Sequence, residues 1–129
     1  MSRKTAADLL AEARTRIVRL EPSEAHAAAT DGAILVDTRD NDDRRADGVI
    51  PGSLHIPLSV LEWRADPASE SHDPRLGALD RRLVIVCSHG YSSSLAAARL
   101  RELGFAHVAD LAGGFRAWKA AGLPVIEPD

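Results

Sequence analysis

The sequence predicts an α/β fold in which helices cover both faces of a parallel sheet. Short apolar runs, such as Ala33 to Val36 and Leu83 to Val86, alternate along the chain with segments of helical periodicity. These runs lack polar alternation, which is typical of parallel strands buried on both faces. The connections between them are mostly short, as in α/β domains. Because ligands bind at the carboxyl ends of the strands in such sheets, we expect the functional site there.

The first elements follow from periodicity and from helix-start signals. Residues 4–17 place apolar side chains at helical spacing between charged ones, which predicts an amphipathic helix. A short strand is predicted over Ile17 to Leu20, and the following Glu21-Pro22 is a favourable helix start. We therefore predict a second helix from Ser23 to about Thr30.

A second buried strand is predicted from Ala33 to Val36, ending in the polar sequence Asp37-Thr38-Arg39. Residues 40–48 have no apolar periodicity and contain four aspartates. They are predicted to form a solvated loop or a short irregular helix without a functional role.

Glycines and prolines delimit the central part of the chain. They bound a short predicted strand around Ser53 to Ile56, and a helix is predicted from Leu58 to Arg64. Residues 65–80 are polar and contain Pro67 and Pro74, so we interpret them as a crossover connection over the surface. The remaining predicted elements are strand 83–86, helix 93–103, strand His107 to Leu111, and a helix over FRAWKAAG after Gly113-Gly114.

Composition excludes several classes of function. The 129 residues are the size of one domain, and the net charge of −3 comes without a dense basic cluster, so nucleic acid is not an expected partner. No apolar run is long enough to span a bilayer and no signal-peptide pattern is present, so we expect a soluble cytoplasmic protein without a membrane partner. The histidines lack the spacing of a metal site, and we expect neither a metal nor another cofactor.

The most informative stretch is LVIVCSHGYSSSLAAARL, residues 83–100, which contains the only cysteine. A strand, a short polar loop and a helix would place Cys87 at the carboxyl end of a strand, facing the amino terminus of a helix. Free backbone N–H groups and the helix dipole favour an anion at that position. The thiol should therefore ionise below the usual value of about 8.5.

Four segments in order resemble the successive signatures of rhodanese-like domains of the single-domain bacterial kind. They are LVDTR at 35–39, GVIPGSLHIP at 48–57, VCSHGYSSS at 86–94 and ADLAGGFRAWKAAGLPV at 109–125. The resemblance runs from about Ile17 to Val125, which divides the chain into an N-terminal helical extension, residues 1–16, and a rhodanese-like domain, residues 17–129. It implies a doubly wound, five-stranded parallel sheet and sulfur transfer through a persulfide on Cys87.

Such a sulfurtransferase would take sulfane sulfur from a small anionic donor, thiosulfate or a low-molecular-weight persulfide. It would pass the sulfur to a thiol, to cyanide or to a protein acceptor, as a monomer or a homodimer. Both half-reactions involve anions, so the loop must supply positive potential. The backbone N–H groups of the active loop can do this as an anion nest. Its residues are Ser88, His89, Gly90, Tyr91, Ser92 and Ser93.

Family members often carry arginine or lysine in this loop, whereas this chain has neither between Cys87 and Arg99. The candidates to compensate are a protonated His89, Arg39 and Arg64, of which the two arginines are preferred because histidine is mostly neutral at pH 7. Trp63 is a packing residue or a wall of the pocket.

Two questions remain open, and a third interpretation is disfavoured. Asp37 and Arg39 either act at the site or pair with each other to hold loops. The chain is either a catalyst or a slow sulfur carrier and anion-binding module that acts with a protein partner. The related phosphatases and arsenate reductases are disfavoured, because they use a longer loop with an arginine that grips the oxyanion.

Overall fold

The computed structural model describes residues 2–129 and contains one sheet of five parallel strands in the order β1-β5-β4-β2-β3. The strands are β1 Val18–Leu20, β2 Ile34–Asp37, β3 Leu54–His55, β4 Arg82–Val86 and β5 His107–Leu111. The helices are α1 Ala6–Arg14, α2 Pro22–Thr30, α3 Asn41–Asp47, α4 Leu61–Ala65, α5 Ser92–Glu102 and α6 Gly114–Ala120. The predicted α/β class with a doubly wound parallel sheet is confirmed.

Two apolar clusters, one on each face of the sheet, explain why the strands read as continuous apolar runs. In β4, Leu83 and Ile85 pack in a cluster with α4 and α5, whereas Val84 and Val86 pack in a cluster with α2 and α6. Successive strand residues point to opposite faces, so a strand covered on both sides needs an apolar residue at every position. Of the central strand only Arg82, its first residue, is exposed.

The N-terminal helix α1 packs against α5, on the face of the sheet that α4 also covers. Thr5 begins it with a capping box, in which the Thr5 hydroxyl accepts from the Asp8 amide and the Asp8 carboxylate accepts from the Thr5 amide. The helix is shorter than the predicted 4–17. It ends at Arg14 because the chain turns there to enter β1.

The prediction of a loop or an irregular helix for residues 40–48 underestimates the order of that segment. Residues Asn41–Asp47 form a regular helix, capped by the Asp40 carboxylate, which accepts from the Asp43 amide at 2.8 Å. None of its residues is buried, so it has no apolar stripe from which a helix could be recognised. The predicted helix from Leu58 to Arg64 is divided into a 3-10 turn, Leu58–Val60, and α4.

Asp73 anchors the crossover connection between α4 and β4. Its buried carboxylate accepts three hydrogen bonds from the Arg75 guanidinium, the shortest at 2.6 Å, and one from Arg64 at 3.3 Å. Hydrogen bonding to Arg75 lowers the pKa of Asp73 to about 2.

No helix of the described residues is both long and apolar enough to cross a membrane.

Replacing Asp73 with asparagine is expected to lower the free energy of unfolding at pH 7 by about 1 kcal/mol, a modest value because solvent screens the exposed Arg75. The folded-state pKa lies below the ordinary 3.8, so the contribution is complete above pH 4 and is lost as the pH falls through about 2. Urea unfolding at pH 7, 5 and 3 should show the wild-type advantage narrowing at pH 3. Asp80→Asn, at an exposed position, is the control, and a pH-independent difference would contradict this account.

Candidate active site

Cys87 lies directly after β4 and is buried beneath the loop that leads into α5. The Gly90 amide donates to its Sγ at 3.1 Å and the Ser93 amide donates at 3.4 Å. The N–H groups of Ser88, His89, Tyr91 and Ser92 donate to no acceptor within residues 2–129. The loop therefore presents a concave set of amide donors, two of them directed at the sulfur, which is the arrangement that binds an anion.

The thiol is set to ionise more readily than an ordinary cysteine. Burial raises the pKa of Cys87, but hydrogen bonds from the hydroxyls of Ser93 and Ser92 and from the amides of Ser93 and Gly90 outweigh burial and lower it. The Ser93 hydroxyl has a single proton, which it donates to Asp110 at 2.8 Å. The Gly90 and Ser93 amides are the donors whose geometry directs them at the sulfur.

The base of the loop is held by the start of α6. The Phe115 amide donates to the Cys87 carbonyl at 2.7 Å, and the Arg116 amide donates to the Ser88 carbonyl at 3.2 Å. Gly114 makes this approach possible, because a Cβ at that position would lie 2.5 Å from the Cys87 oxygen. The Gly113-Gly114 pair, which the sequence shows only as a turn before a helix, thus fixes the loop that carries the cysteine.

Behind the loop lies a polar cluster that sequence reasoning missed. The fully buried Asp110 of β5 accepts hydrogen bonds from Arg19 at 2.9 Å and from the hydroxyls of Ser93 and Ser94. Arg19 and Arg14 both donate to the carbonyl of Gly90. The sequence signal was a charged residue in the middle of each of two otherwise apolar strands, since a buried charge needs a partner.

Asp37 and Arg39 lie beside the site and pair with each other. The Arg39 guanidinium donates to the Asp37 carboxylate at 2.8 Å and to the Gly48 carbonyl at 2.8 Å, and it lies 3.8 Å over the ring of Phe115. Arg39 is 4% exposed and its Nη1 has no hydrogen-bond partner among the described residues. The structure therefore shows contacts by which the pair holds the strand end and the loop that follows it.

Arg64 and Trp63 are not among the residues that line the cavity over the cysteine. Arg64 donates to the Ser71 carbonyl and to Asp73, which turns its guanidinium toward the crossover connection. Trp63 is 60% exposed on α4. The structure thus brings together Cys87, the loop residues, Asp37 and Arg39. Arg64 and Trp63 lie outside the cavity over Cys87.

The mouth of the loop carries a cation from another element. Nη1 of Arg116, on α6, donates to Nε2 of His89 at 2.9 Å. Arg116 therefore places a guanidinium next to a loop residue that lines the cavity. Tyr91, which is 64% exposed, stands on the loop at the mouth of the cavity.

A cavity of about 290 Å³ lies over Cys87. Its lining includes Thr38, Arg39, Asp43, Ser88, His89, Tyr91 and Ser92. A larger cavity of about 470 Å³ lies at the amino ends of the strands, beside Arg82 and His107, and Cys87 is not among its lining residues. Within residues 2–129 no three histidine, cysteine or acidic side chains are grouped as a metal site would require. The smaller cavity therefore has the chemistry of an anion site with a thiol at its base.

Comparison with known proteins identifies the family of the chain. A family model, the rhodanese-like domain, matches residues 21–121. Thiosulfate sulfurtransferase GlpE of Stutzerimonas stutzeri is 38% identical over 115 residues, which are 89% of this chain and 96% of that protein. A protein of unknown function from Rhodopseudomonas palustris, described as a possible tyrosine phosphatase, has 32% identity and a TM-score of 0.89 over 98% of this chain and 97% of its own.

A third similar protein is the homodimeric polysulfide-sulfur transferase of Wolinella succinogenes. It has 25% identity and a TM-score of 0.72, over 93% of this chain and 85% of its own. The family match begins after α1, but the 98% coverage by the Rhodopseudomonas palustris structure shows that α1 lies within the part the two structures share.

Proposed function

The chain belongs to the rhodanese-like domain family and is an enzyme of the sulfurtransferase type, and from this premise we propose that it transfers sulfane sulfur through a persulfide on Cys87. The observation that carries the proposal is the pair of amide hydrogen bonds to Sγ, from Gly90 and Ser93, at the base of an open cavity. These bonds stabilise the thiolate, which is the nucleophilic form of cysteine.

The reaction is proposed in two steps. The Cys87 thiolate attacks the outer sulfur of the donor, the donor's sulfur–sulfur bond breaks, and the remainder leaves with the bonding electron pair, as sulfite if the donor is thiosulfate. The enzyme then holds a terminal persulfide anion. A nucleophilic acceptor attacks the outer sulfur, and Sγ leaves again as a thiolate. No net oxidation occurs, because the sulfane sulfur changes only its partner.

The donor proposed is a small anion, thiosulfate or a low-molecular-weight persulfide, and the acceptor is a thiol, cyanide or a protein. A cavity of about 290 Å³ admits such a donor, and the free amides of the loop suit its charge. Sulfurtransferases related to this chain are named for thiosulfate and for polysulfide. The cytoplasm is the proposed compartment, because a single free thiol is kept reduced there.

A carrier module is the second candidate. It is favoured by the absence of arginine and lysine from residues 88–93, since a cation would speed attack on an anionic donor. A phosphatase fits less well, because no arginine lies between Cys87 and Arg99 to bind an oxyanion at the loop. The rate of sulfur release to cyanide separates an enzyme from a carrier.

Intact-mass measurement after incubation with thiosulfate or glutathione persulfide tests the proposal. The protein should gain about 32 Da, one sulfur atom, and lose this mass when cyanide is added. Peptide mapping should place the added sulfur on the segment that contains Cys87, and protein alkylated beforehand with iodoacetamide is the control. If the mass does not change while a known sulfurtransferase is loaded in parallel, the proposal is wrong. Loading without turnover would favour the carrier.

A further inference from the structure

The loop lacks a cation of its own, yet one of its residues lies between the sulfur and two arginines. The Gly90 amide points inward to Sγ at 3.1 Å, and its carbonyl points outward to Nη2 of Arg14 and Nη2 of Arg19, each at 2.9 Å. Gly90 has φ +87°, and a Cβ there would lie 2.8 Å from the Gly113 amide nitrogen and 3.2 Å from Arg19. No other residue type fits between the sulfur and the two guanidinium groups.

The two arginines are fixed by different partners. Arg19 is paired with Asp110 on the neighbouring strand, its register partner, at 2.9 Å. Arg14 donates to the Ser94 hydroxyl at 3.1 Å, and that hydroxyl donates to the same carboxylate at 2.7 Å. The cluster of two guanidinium groups and one carboxylate has a net charge of +1, because Arg14 pairs with no carboxylate in the described part of the chain.

The peptide group whose carbonyl binds the two arginines joins Gly90 to Tyr91. Its N–H belongs to Tyr91, and since the peptide is trans this N–H points opposite to the carbonyl, away from both arginines. Tyr91 lines the cavity, and its N–H has no acceptor within residues 2–129. Two charged donors on the carbonyl polarise the peptide and make its N–H a stronger donor to an anion in the cavity.

We propose that Arg14, on the helix that precedes the family match, is a positioning residue for sulfur transfer. With Arg19 and Asp110 it fixes Gly90 and the Gly90–Tyr91 peptide and supplies the positive charge that the loop sequence lacks. The proposal rests on the proposed function insofar as the loop serves sulfur transfer, but its effect on the thiol is measurable without any sulfur donor. The N-terminal helix is thus a part of the active site and more than an added packing element.

Arg14 gives a cleaner test than Arg19, since removing Arg19 would also leave the buried Asp110 without its cation. Arg14→Gln removes the charge, and Arg14→Lys retains it without the paired donors. Arg16→Gln is the matched control, because Arg16 is two residues away, pairs with the exposed Glu102 and contacts no loop residue. The other ionisable groups around the cavity are Asp43, Tyr91, the His89–Arg116 pair and the Arg39–Asp37 pair. They are the same in every variant, so a difference between variants reports the change at Arg14.

The rate of alkylation by iodoacetamide should be measured against pH for each folded variant, together with kcat and KM for thiosulfate. Arg14→Gln should raise the midpoint of the alkylation profile by about 0.5 to 1 pH unit and lower kcat/KM about tenfold. Arg14→Lys should lie between Arg14→Gln and wild type, and Arg16→Gln should match wild type. The Gly90 and Tyr91 amide resonances should shift in Arg14→Gln but not in Arg16→Gln.

Identical alkylation midpoints for Arg14→Gln and Arg16→Gln would overturn the inference. If Arg14→Gln does not fold, Arg14→Lys becomes the deciding variant. A wild-type alkylation profile and wild-type Gly90 and Tyr91 amide shifts in Arg14→Lys would then overturn the inference. If wild type forms a persulfide and Arg14→Gln has the same alkylation midpoint as Arg16→Gln, the role of Arg14 is refuted and the proposed function stands. Wild type that forms no persulfide, with a shifted midpoint in Arg14→Gln, refutes the proposed function and supports the role of Arg14 at the thiol.

Discussion

Replacing Cys87 with serine is expected to lower sulfur transfer at least about 10⁴-fold while the protein remains folded. The serine oxygen can occupy the same place and accept from the Gly90 and Ser93 amides, which now donate to Sγ at 3.1 and 3.4 Å. It remains protonated at neutral pH and forms no persulfide, so the first step of the reaction has no nucleophile. Steady-state sulfur transfer from thiosulfate to cyanide measures the loss.

Thermal unfolding of the same variant provides the structural control. Because Cys87 is the only cysteine, the substitution leaves no other thiol that could take its place. A melting temperature close to that of wild type, together with lost turnover, identifies a chemical effect. Residual activity above about one hundredth of wild type would show that sulfur transfer does not pass through Cys87.

Replacing Gly114 with alanine is expected to have the largest effect on stability, lowering the free energy of unfolding by about 3 kcal/mol. Gly114 has φ +67°, and an added Cβ would lie 2.5 Å from the Cys87 oxygen and 2.6 Å from Ser88 backbone atoms. Backbone cannot yield as a flexible side chain does, so the start of α6 must move away from the loop. That movement would lengthen the bonds from the Phe115 and Arg116 amides and lower turnover as well.

Gly122→Ala separates backbone strain from this clash. Gly122 also has a left-handed φ, +77°, but an added Cβ there would meet nothing within 4 Å. It should therefore cost only about 1 kcal/mol, the strain of the left-handed conformation, and leave turnover unchanged. Chemical unfolding and steady-state kinetics of the two variants make the comparison. Equal losses of stability, with normal activity in Gly114→Ala, would show that contact between α6 and the loop is not required.

Most of the fold follows from the sequence because its signals are local. The strand at His107–Leu111 is predicted with the bounds that the structure shows, and α2, α5 and α6 are predicted to within two residues at each end. The regular helix α3 does not follow from the sequence pattern, because it buries no side chain and is stabilised by the Asp40 cap. Hydrophobic periodicity therefore cannot reveal it. The pairing of β1 with β5 does not follow from adjacency either, since these are the first and the last strand.

The site could be predicted only in its local part. Cys87 and the amides of its loop are consecutive in sequence, so strand, loop and helix signals are enough to place them. Arg14 and Arg19 are separated from Gly90 by more than 70 residues, and no spacing rule links them. The compensating cations expected from the sequence, Arg39 and Arg64, lie at the ends of nearby elements, but their side chains bind Asp37 and Asp73. One signal was available: Arg19 and Asp110 are single opposite charges within apolar strands, and they prove to be register partners.

Because β1 pairs with β5, the polar cluster behind the loop can form only late in the synthesis of the chain. Synthesis proceeds from the N-terminus, so Cys87 is made before Asp110 and before the α6 amides that hold its loop. Until those residues are added, Arg19 lacks its carboxylate and the loop lacks the α6 amides, so the pKa of the Cys87 thiol is expected to lie closer to that of an ordinary cysteine. A nascent or truncated chain is therefore expected to have a less reactive cysteine than the 129-residue chain.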